Sequence, residues 1–279
     1  MDADGDGAWF DGLDLTNEEV AARSIARGEA ASPRDWPALA VETGVVTDEA
    51  TYYRRLQAIA IAAAREAVSR YEGADDRQVV HAVNTMDDLD RTANELAERV
   101  AEWAGSLGHD DIAGPGDVAR LADREPAGML AERLHDVAQT VVRMREDRNT
   151  LASTIERTVP EFAPNLSEMA GPILSARLIA LAGDLERLAK LPSGTVQVLG
   201  AEDALFAHLE GHAPSPKHGV IFTHEYVRGT PPAHRGSAAR ALAGKLSIAA
   251  RIDHYSGDYR PEIHAALDER IARIQERDA

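Results

Sequence analysis

The sequence predicts a mainly α protein in three parts: a small N-terminal α/β domain, a helical coiled-coil arm, and an all-helical C-terminal domain with a short hairpin. Three observations lead there. Apolar residues return every three or four positions from Val79 to Trp103. They return again as a heptad-like seam from Leu130 to Phe162. Residues 163–194 are rich in Ala and Gly at helical spacing, so helices built from them can pack closely.

In the first part, residues 1–46 are punctuated by Gly, Pro and Asp, and short strands are expected at residues 8–10 and 38–41. Thr47 and Glu49 start a helix that reaches Tyr71. Its Ile59, Ile61, Ala62 and Ala63 are placed to pack on a sheet, and Gly73, Ala74 and Asp75 end it. Asp76 opens a second helix. Val79, Val80, Val83, Met86, Leu89, Ala93, Leu96, Val100 and Trp103 give it one apolar face. Gly and Pro break the pattern in residues 105–118, which sets an N-terminal domain at residues 1–107.

The arm, residues 108–162, carries Leu130, Leu134, Val137, Val141 and Met144 at steps of 4, 3, 4 and 3. Arg148 takes the next seam position, and Leu151 and Ile155 resume the seam. A coiled coil has this pattern, and a monomeric surface helix gives a similar one. The seam needs a partner from residues 76–104, from residues 118–121, or from a second copy of the chain.

The third part, residues 163–279, begins after Pro160. Residues 219–223 read as a short strand or hairpin limb. Ser237 to Asp253 read as a helix, and residues 261–276 as a terminal helix. No internal repeat is present.

Composition narrows the chemistry. The 279 residues contain no cysteine, which removes disulfides, thiolate metal sites and cysteine nucleophiles. The longest apolar run, residues 58–64, is far too short to span a bilayer, and the acidic N-terminus is not a signal peptide. A soluble, cytoplasmic protein is expected. Net charge is −17, and only three lysines stand among 30 cations, a balance that suits a salt-rich, halophilic cytoplasm, with an acidic protein from a GC-rich genome as the plainer alternative. At ~1 M salt the Debye length is about 3 Å, so recognition there relies on direct hydrogen bonds and shape.

Against that background residues 212–251 are a basic island. Lys217, Arg228, Arg235, Arg240, Lys245 and Arg251 face one carboxylate, Glu225, so the window carries +5 while the remainder of the chain carries −22. An acidic chain that keeps cations together uses them on an anion, and solvated surface charge or internal salt bridges is the plainer alternative. On a helix Arg240 and Arg251 lie about 20° apart and Lys245 about 140° from Arg240, so only the first two share a face. Lys217, His218 and Gly219 offer a phosphate contact, a stacking ring and close backbone approach. His212, His218, His224 and His234 are spaced 6, 6 and 10 apart, which matches no metal pattern, so no metal site is assigned. The Asp87-Asp88 pair reads as a solvated face. Glycine-rich phosphate loops, G-x-S-x-G and H-E-x-x-H are all missing, so neither a catalytic residue nor a cofactor is expected.

The strings APNLSEMAGPILSARLIALAG, LPSGTVQVLGAEDALF, PKHGVIFTHEYV and RGSAARALAGKLSIAARID resemble the Nop domain of the archaeal counterpart of the nucleolar Nop proteins in box C/D ribonucleoproteins. The resemblance covers residues 163–273, and residues 76–103 resemble the same family's N-terminal domain. It implies a non-catalytic scaffold. An N-terminal domain holds a fibrillarin-like methyltransferase, a coiled-coil arm pairs two copies, and the Nop domain binds box C/D guide RNA with a kink-turn-binding ribosomal-type protein. Such a complex performs 2′-O-methylation of rRNA or tRNA, with S-adenosylmethionine held by fibrillarin.

Carried onto this chain, the RNA-binding residues are Lys217, His218, Arg235, Arg240, Lys245 and Arg251, with Gln197 from the second string. The guide-duplex contacts are Gly200, Ala201, Glu202, Ala204, Leu205 and Phe206, and burial of Phe206 in the core is the alternative. The dimer arm is Leu130, Leu134, Val137, Val141, Met144, Leu151 and Ile155. The chain departs from the pattern in two places. Asp203 and Ala207 stand where the family has a lysine and an arginine, which removes two cationic contacts. Gly114, Pro115, Gly116 and Pro126 interrupt the first arm helix and shorten the arm. Two other readings fit the same residues: a Nop-domain protein of another kink-turn ribonucleoprotein without methyltransferase, and a helical oligomerisation module that binds only protein.

Overall fold

In the computed structural model, which describes residues 8–28 and 34–276, every regular element among the described residues is helical. The acidic residues 1–7 lie outside them. The chain divides into two compact units, Met1–Ala74 and Asp75–Ala279.

In the first unit, α1 (Glu18–Arg27) and α2 (Trp36–Glu42) pack on α3 (Glu49–Glu72). Each starts at a carboxamide or carboxylate N-cap. Asn17 accepts from Val20 N at 3.3 Å, Asp35 from Ala38 N at 3.3 Å, and Asp48 from Thr51 N at 2.6 Å. The core is aromatic at one end. Phe10 is fully buried between Trp9, Trp36 and Tyr52, and the Trp9 indole donates to Tyr52 Oη at 3.2 Å.

This corrects the expected N-terminal α/β domain. Residues 8–10 turn, with Asp11 N donating to Ala8 O at 3.0 Å, and their apolar character seats an aromatic plug. Residues 38–41 lie inside α2, where the Asp35 cap and Pro37 in the first turn favour helix. Ile59 packs against helices rather than a sheet.

The second unit is built on two long helices, α4 (Asp75–Ser106) and α6 (Met129–Phe162). At 1.5 Å per residue each is about 50 Å long. They run antiparallel. Val79, Val83 and Met86 share a cluster with Ile155 and Val159 at one end, and Ala97, Val100 and Ala104 share one with Leu134, Ala138 and Val141 at the other. The turn between them holds a short 3₁₀ segment (Pro115–Asp117) and α5 (Val118–Ala122), whose Val118 and Leu121 complete the distal cluster. The seam of α6 is therefore covered within the chain. Leu134, Val141 and Ile155 are buried, and each contributes about 1.5–3 kcal/mol. Val137, Met144 and Leu151 are half-buried, and Leu130 is exposed. At the seam's polar position Arg148 reaches Asp90 of α4 at 3.7 Å.

The remaining helices are α7 (Pro164–Ala170), α8 (Pro172–Ala182), α9 (Leu185–Lys190), α10 (Ser193–Val198), α11 (Glu202–Leu209), α12 (Glu225–Arg228), α13 (Arg235–Tyr255) and α14 (Glu262–Gln275). Gly171 and Gly183, at φ 76° and 104°, separate α7 from α8 and α8 from α9. α13 lies at the centre, against α7, α9, α10, α12 and α14. Ala238, Ala239, Ala241, Ala243, Ala249 and Ala250 are all buried on it, and only side chains this small let so many neighbours approach.

A second correction concerns residues 219–223, expected as a hairpin limb. Val220–Thr223 is a 3₁₀ turn with no partner strand among the described residues. Gly219 N and Val220 N bond instead to Gln197 O (2.9 Å) and Leu199 O (2.7 Å), and Ile221 is fully buried. The β-branched run is a core anchor.

One buried polar network ties the end of α13 to the start of α7. The Asp253 carboxylate accepts from Asn165 N (3.0 Å), Leu166 N (2.9 Å) and Asn165 Nδ2 (2.6 Å). Asn165 Nδ2 also donates to Asp258 O at 2.7 Å, and Arg260 N donates to Asn165 Oδ1 at 2.8 Å. Asp253→Ala orphans two buried backbone N–H groups and should cost about 2–4 kcal/mol in denaturant unfolding, with Asp253→Asn costing less because it keeps one acceptor. Unfolding midpoints that match the wild type would show that this network does not hold the helices.

Candidate nucleic-acid interface

Of the sequence-predicted residues, Gln197, Lys217, His218 and Arg235 meet at the N-terminal end of α13. The loop before Gly219 is held against α10, because Gln197 Nε2 donates to Lys217 O at 2.7 Å. Gly219 itself has no space for a side chain: an added Cβ would stand 1.9 Å from Leu199 O. Close backbone approach therefore fixes the glycine of the Lys-His-Gly string.

His218 stacks on Phe222 with centroids 4.5 Å apart and planes at 21°, and the Arg235 guanidinium lies 5.5 Å from the same ring's centroid. Arg235 is also anchored to the backbone, with Nε on Thr230 O at 3.0 Å and Nη2 on Arg228 O at 3.4 Å. Lys217 is exposed, and its stem runs beside Gly236. Burial pushes the His218 imidazole below its ordinary range; a backbone hydrogen bond opposes the shift, and neighbouring Arg235 and Lys217 add to it.

The other cations are spread along α13. Arg240 is exposed and faces α14, at a cavity it shares with Ser237, Arg270, Arg273 and Ile274. Lys245 is half-buried. Arg251 closes the C-terminal end of α9, with Nε on Ala189 O at 3.0 Å and Nη2 on Leu191 O at 3.4 Å. Arg240 and Arg251 share an angular position, yet about 16 Å of helix axis and different neighbours separate them. None of the six cations of residues 212–251 forms an ion pair with a carboxylate among the described residues. Nearby cations do: Arg177 with Asp87, Arg187 with Asp184, Lys190 with Glu186 and Arg260 with Asp258.

The turn at Gly200-Ala201-Glu202 precedes α11. Gly200 has φ 79° and sits against Leu181 and Val220, and Glu202 folds back so that Oε1 accepts from Gly200 N at 2.8 Å. α11 buries none of its residues. Phe206 is 63% exposed and Leu209 71%, Ala204 is exposed and Leu205 is half-buried. Phe206 is thus a surface ring and not a core residue. Asp203 is exposed on the first turn of the same helix.

His224 is structural. Nε2 donates to Met169 O at 3.0 Å while Nδ1 accepts from Tyr226 N at 3.1 Å, which fixes the neutral tautomer. Tyr226 Oη donates to Asp268 at 2.5 Å, a bond that, with burial, pushes the phenol up to about 12. Among the described residues no group of three or more His, Asp or Glu is arranged to hold a metal ion, and no helix is long and apolar enough to cross a membrane. Sequence reading missed Phe222, Arg270 and Arg273. The only available signals were the four-residue step from His218 to Phe222 and the three-residue step between the two arginines.

With this geometry in place, the comparisons with known proteins are decisive. A family model described as Nop, snoRNA binding domain, fibrillarin, matches residues 121–276.

The chain belongs to the Nop family.

The match takes in α6 through α14, so the His218–Phe222–Arg235 stack, α11 and the α13–α14 cavity all lie inside the Nop region. A NOP5 family protein of Methanocaldococcus jannaschii is 36% identical over 249 residues, 76% of this chain and 60% of that protein. Nucleolar protein 58 of Scheffersomyces stipitis is 28% identical over 246 residues, covering 73% of this chain and 48% of its own length. The same protein of Aspergillus terreus is 32% identical over 232 residues, or 69% and 40%. The chain thus spans about half the length of these relatives. A crystal structure of a fibrillarin/Nop5p complex aligns over 96% of this chain and 98% of that one, with a TM-score of 0.54 and 28% identity.

Two predictions follow from the local geometry. Gly219→Ala forces the loop off α10 and should cost about 1–3 kcal/mol of stability, read by thermal unfolding. Burial also pushes His224 below 6.5 in the fold, so the native state resists a proton that the unfolded state accepts. Its contribution is complete above that pH and is lost as pH falls below it. His224→Gln should flatten the decline of stability between pH 7 and pH 5, and an unchanged slope would assign that decline to other groups.

Proposed function

We propose that the chain is a non-catalytic scaffold of a box C/D guide ribonucleoprotein. It binds the guide RNA together with a kink-turn-binding ribosomal-type protein, and it recruits a fibrillarin-like methyltransferase for 2′-O-methylation of rRNA or tRNA. The observation that carries this reading is electrostatic. In a chain of net charge −17, the six cations of the Nop region's basic island are free of carboxylates among the described residues. Two of them, Arg235 and Arg251, are held rigidly by backbone carbonyls, which keeps their charge and lowers the entropy lost when an anion binds. The names of its relatives support the RNA and fibrillarin partners.

In this reading Lys217, His218, Gln197 and Arg235 form the RNA contact at the head of α13, with Arg240, Lys245 and Arg251 further along it. Gly200 to Phe206 present an apolar ring at the guide–target duplex. Phe206 stacks there, and Asp203 and Ala207 leave the contact without the cations of the family pattern. The functional division into residues 1–107, 108–162 and 163–279 cuts across the α4–α6 hairpin, which lends one helix to each of the first two parts. Pairing of two copies uses the arm. The seam residues Leu134, Val141 and Ile155 hold the hairpin together, so the pairing surface lies outside them. The scarcity of lysine supports a haloarchaeal source and a working environment of high salt, where rigid short-range donors matter more than long-range attraction.

Assembly in molar salt tests the reading. The chain should bind box C/D RNA weakly alone and well with the kink-turn protein, and should co-purify with a fibrillarin-like methyltransferase. Equal affinity for any duplex RNA would sink the proposal, and RNA binding without methyltransferase would favour the other kink-turn particle. Phe206→Ala should leave stability within about 0.5 kcal/mol of the wild type, because the ring is exposed, yet weaken duplex engagement by about 1–3 kcal/mol. Duplex binding equal to the wild type would remove Phe206 from the interface.

A further inference from the structure

α13 and α14 border an open surface cavity of about 320 Å3 lined by Ser237, Arg240, Arg270, Arg273 and Ile274, with the three arginines exposed. Ser237 and Arg240 are three residues apart on α13, as Arg270 and Arg273 are on α14. Each pair therefore shares a helix face, and the two faces border one space. Three guanidiniums around one cavity repel one another, and solvent reduces that repulsion without abolishing it. None of the three has a carboxylate ion partner among the described residues, although α14 also carries Asp268 and Glu269. Asp268 is taken up by the Tyr226 hydroxyl at 2.5 Å. Arg273 Nε donates to the backbone carbonyl of Glu269 at 3.1 Å, which braces the side chain and keeps its charge. Buried Ile274 gives the site an apolar wall.

We propose that this cavity is a phosphate-binding pocket and that it takes a backbone phosphate of the bound RNA. Arg240, Arg270 and Arg273 supply planar, charge-assisted donors, and Ser237 supplies a hydroxyl. The last helix thereby joins the RNA surface, and the cationic face extends beyond residues 212–251. The identity of the anion rests on the ribonucleoprotein reading, whereas the pocket itself does not.

The test uses the full chain, Arg240→Gln, and the double variant Arg270→Gln/Arg273→Gln, with circular dichroism confirming their fold. Inorganic phosphate is titrated against chloride at matched ionic strength, and its stabilisation is read from the melting temperature. In parallel, affinity for box C/D RNA with the kink-turn protein is measured against salt. Phosphate should raise the wild-type melting temperature and leave both variants unmoved. RNA affinity should fall about ten-fold in each variant, and the slope of log K on log salt should become shallower by about 1. No phosphate effect on the wild type, or an equal effect on the variants, overturns the pocket. Loss of the phosphate effect with unchanged RNA affinity and slope overturns the RNA half and leaves a site for free phosphate. Failure of the wild type to bind RNA would defeat the ribonucleoprotein reading, and the phosphate titration would still decide the pocket.

Discussion

The second unit depends on one helix being narrow. α13 is surrounded by α7, α9, α10, α12 and α14, and a helix in that position keeps its neighbours close only if its side chains are small. Alanine meets that demand while holding the highest helix propensity, so the run of buried alanines costs nothing in local stability. Small residues alone pack many ways, however. Asp253 fixes which way, because its carboxylate gives the first backbone N–H groups of α7 the acceptors that no residue of α7 provides.

This arrangement dictates where charge goes. With most of α13 buried, its cations emerge at its N-terminal end and along the lines where neighbouring helices part. Arg235 and Arg251 each emerge beside unsatisfied carbonyls at a helix or turn end, and those carbonyls orient them without cancelling their charge. Arg240 emerges where α14 brings two further arginines. The rest of the acidic unit pairs many of its cations with carboxylates, so the contrast is a property of the site. Long-range attraction would be screened in strong salt, and rigid donors at short range would not.

The α4–α6 hairpin follows from a different constraint. Each helix is too long to stand alone with an apolar stripe, and antiparallel pairing covers both stripes at once. Its seam is broken at one polar position, which is bridged by Arg148 and Asp90 rather than by packing. The glycines and prolines between the helices, which interrupt one long helix in the sequence pattern, instead make room for α5 to finish the distal core.

The sequence by itself determined the long helices, the alanine-rich centre and the basic island, because period, residue size and local charge are all properties of neighbouring positions. The Asp35 cap and Pro37 at the start of the helix at 36–42 were equally local signals that the strand reading of residues 38–41 passed over. Burial versus exposure was decided only by tertiary structure. The same apolar chemistry produced a fully buried Phe10 and an exposed Phe206, and the same β-branched pattern at 219–223 produced a core anchor instead of a strand. Tertiary structure also set the partners of each cation. Arg251 meets α9 sixty residues upstream, and Arg240 meets arginines thirty residues downstream, pairings that no local period encodes.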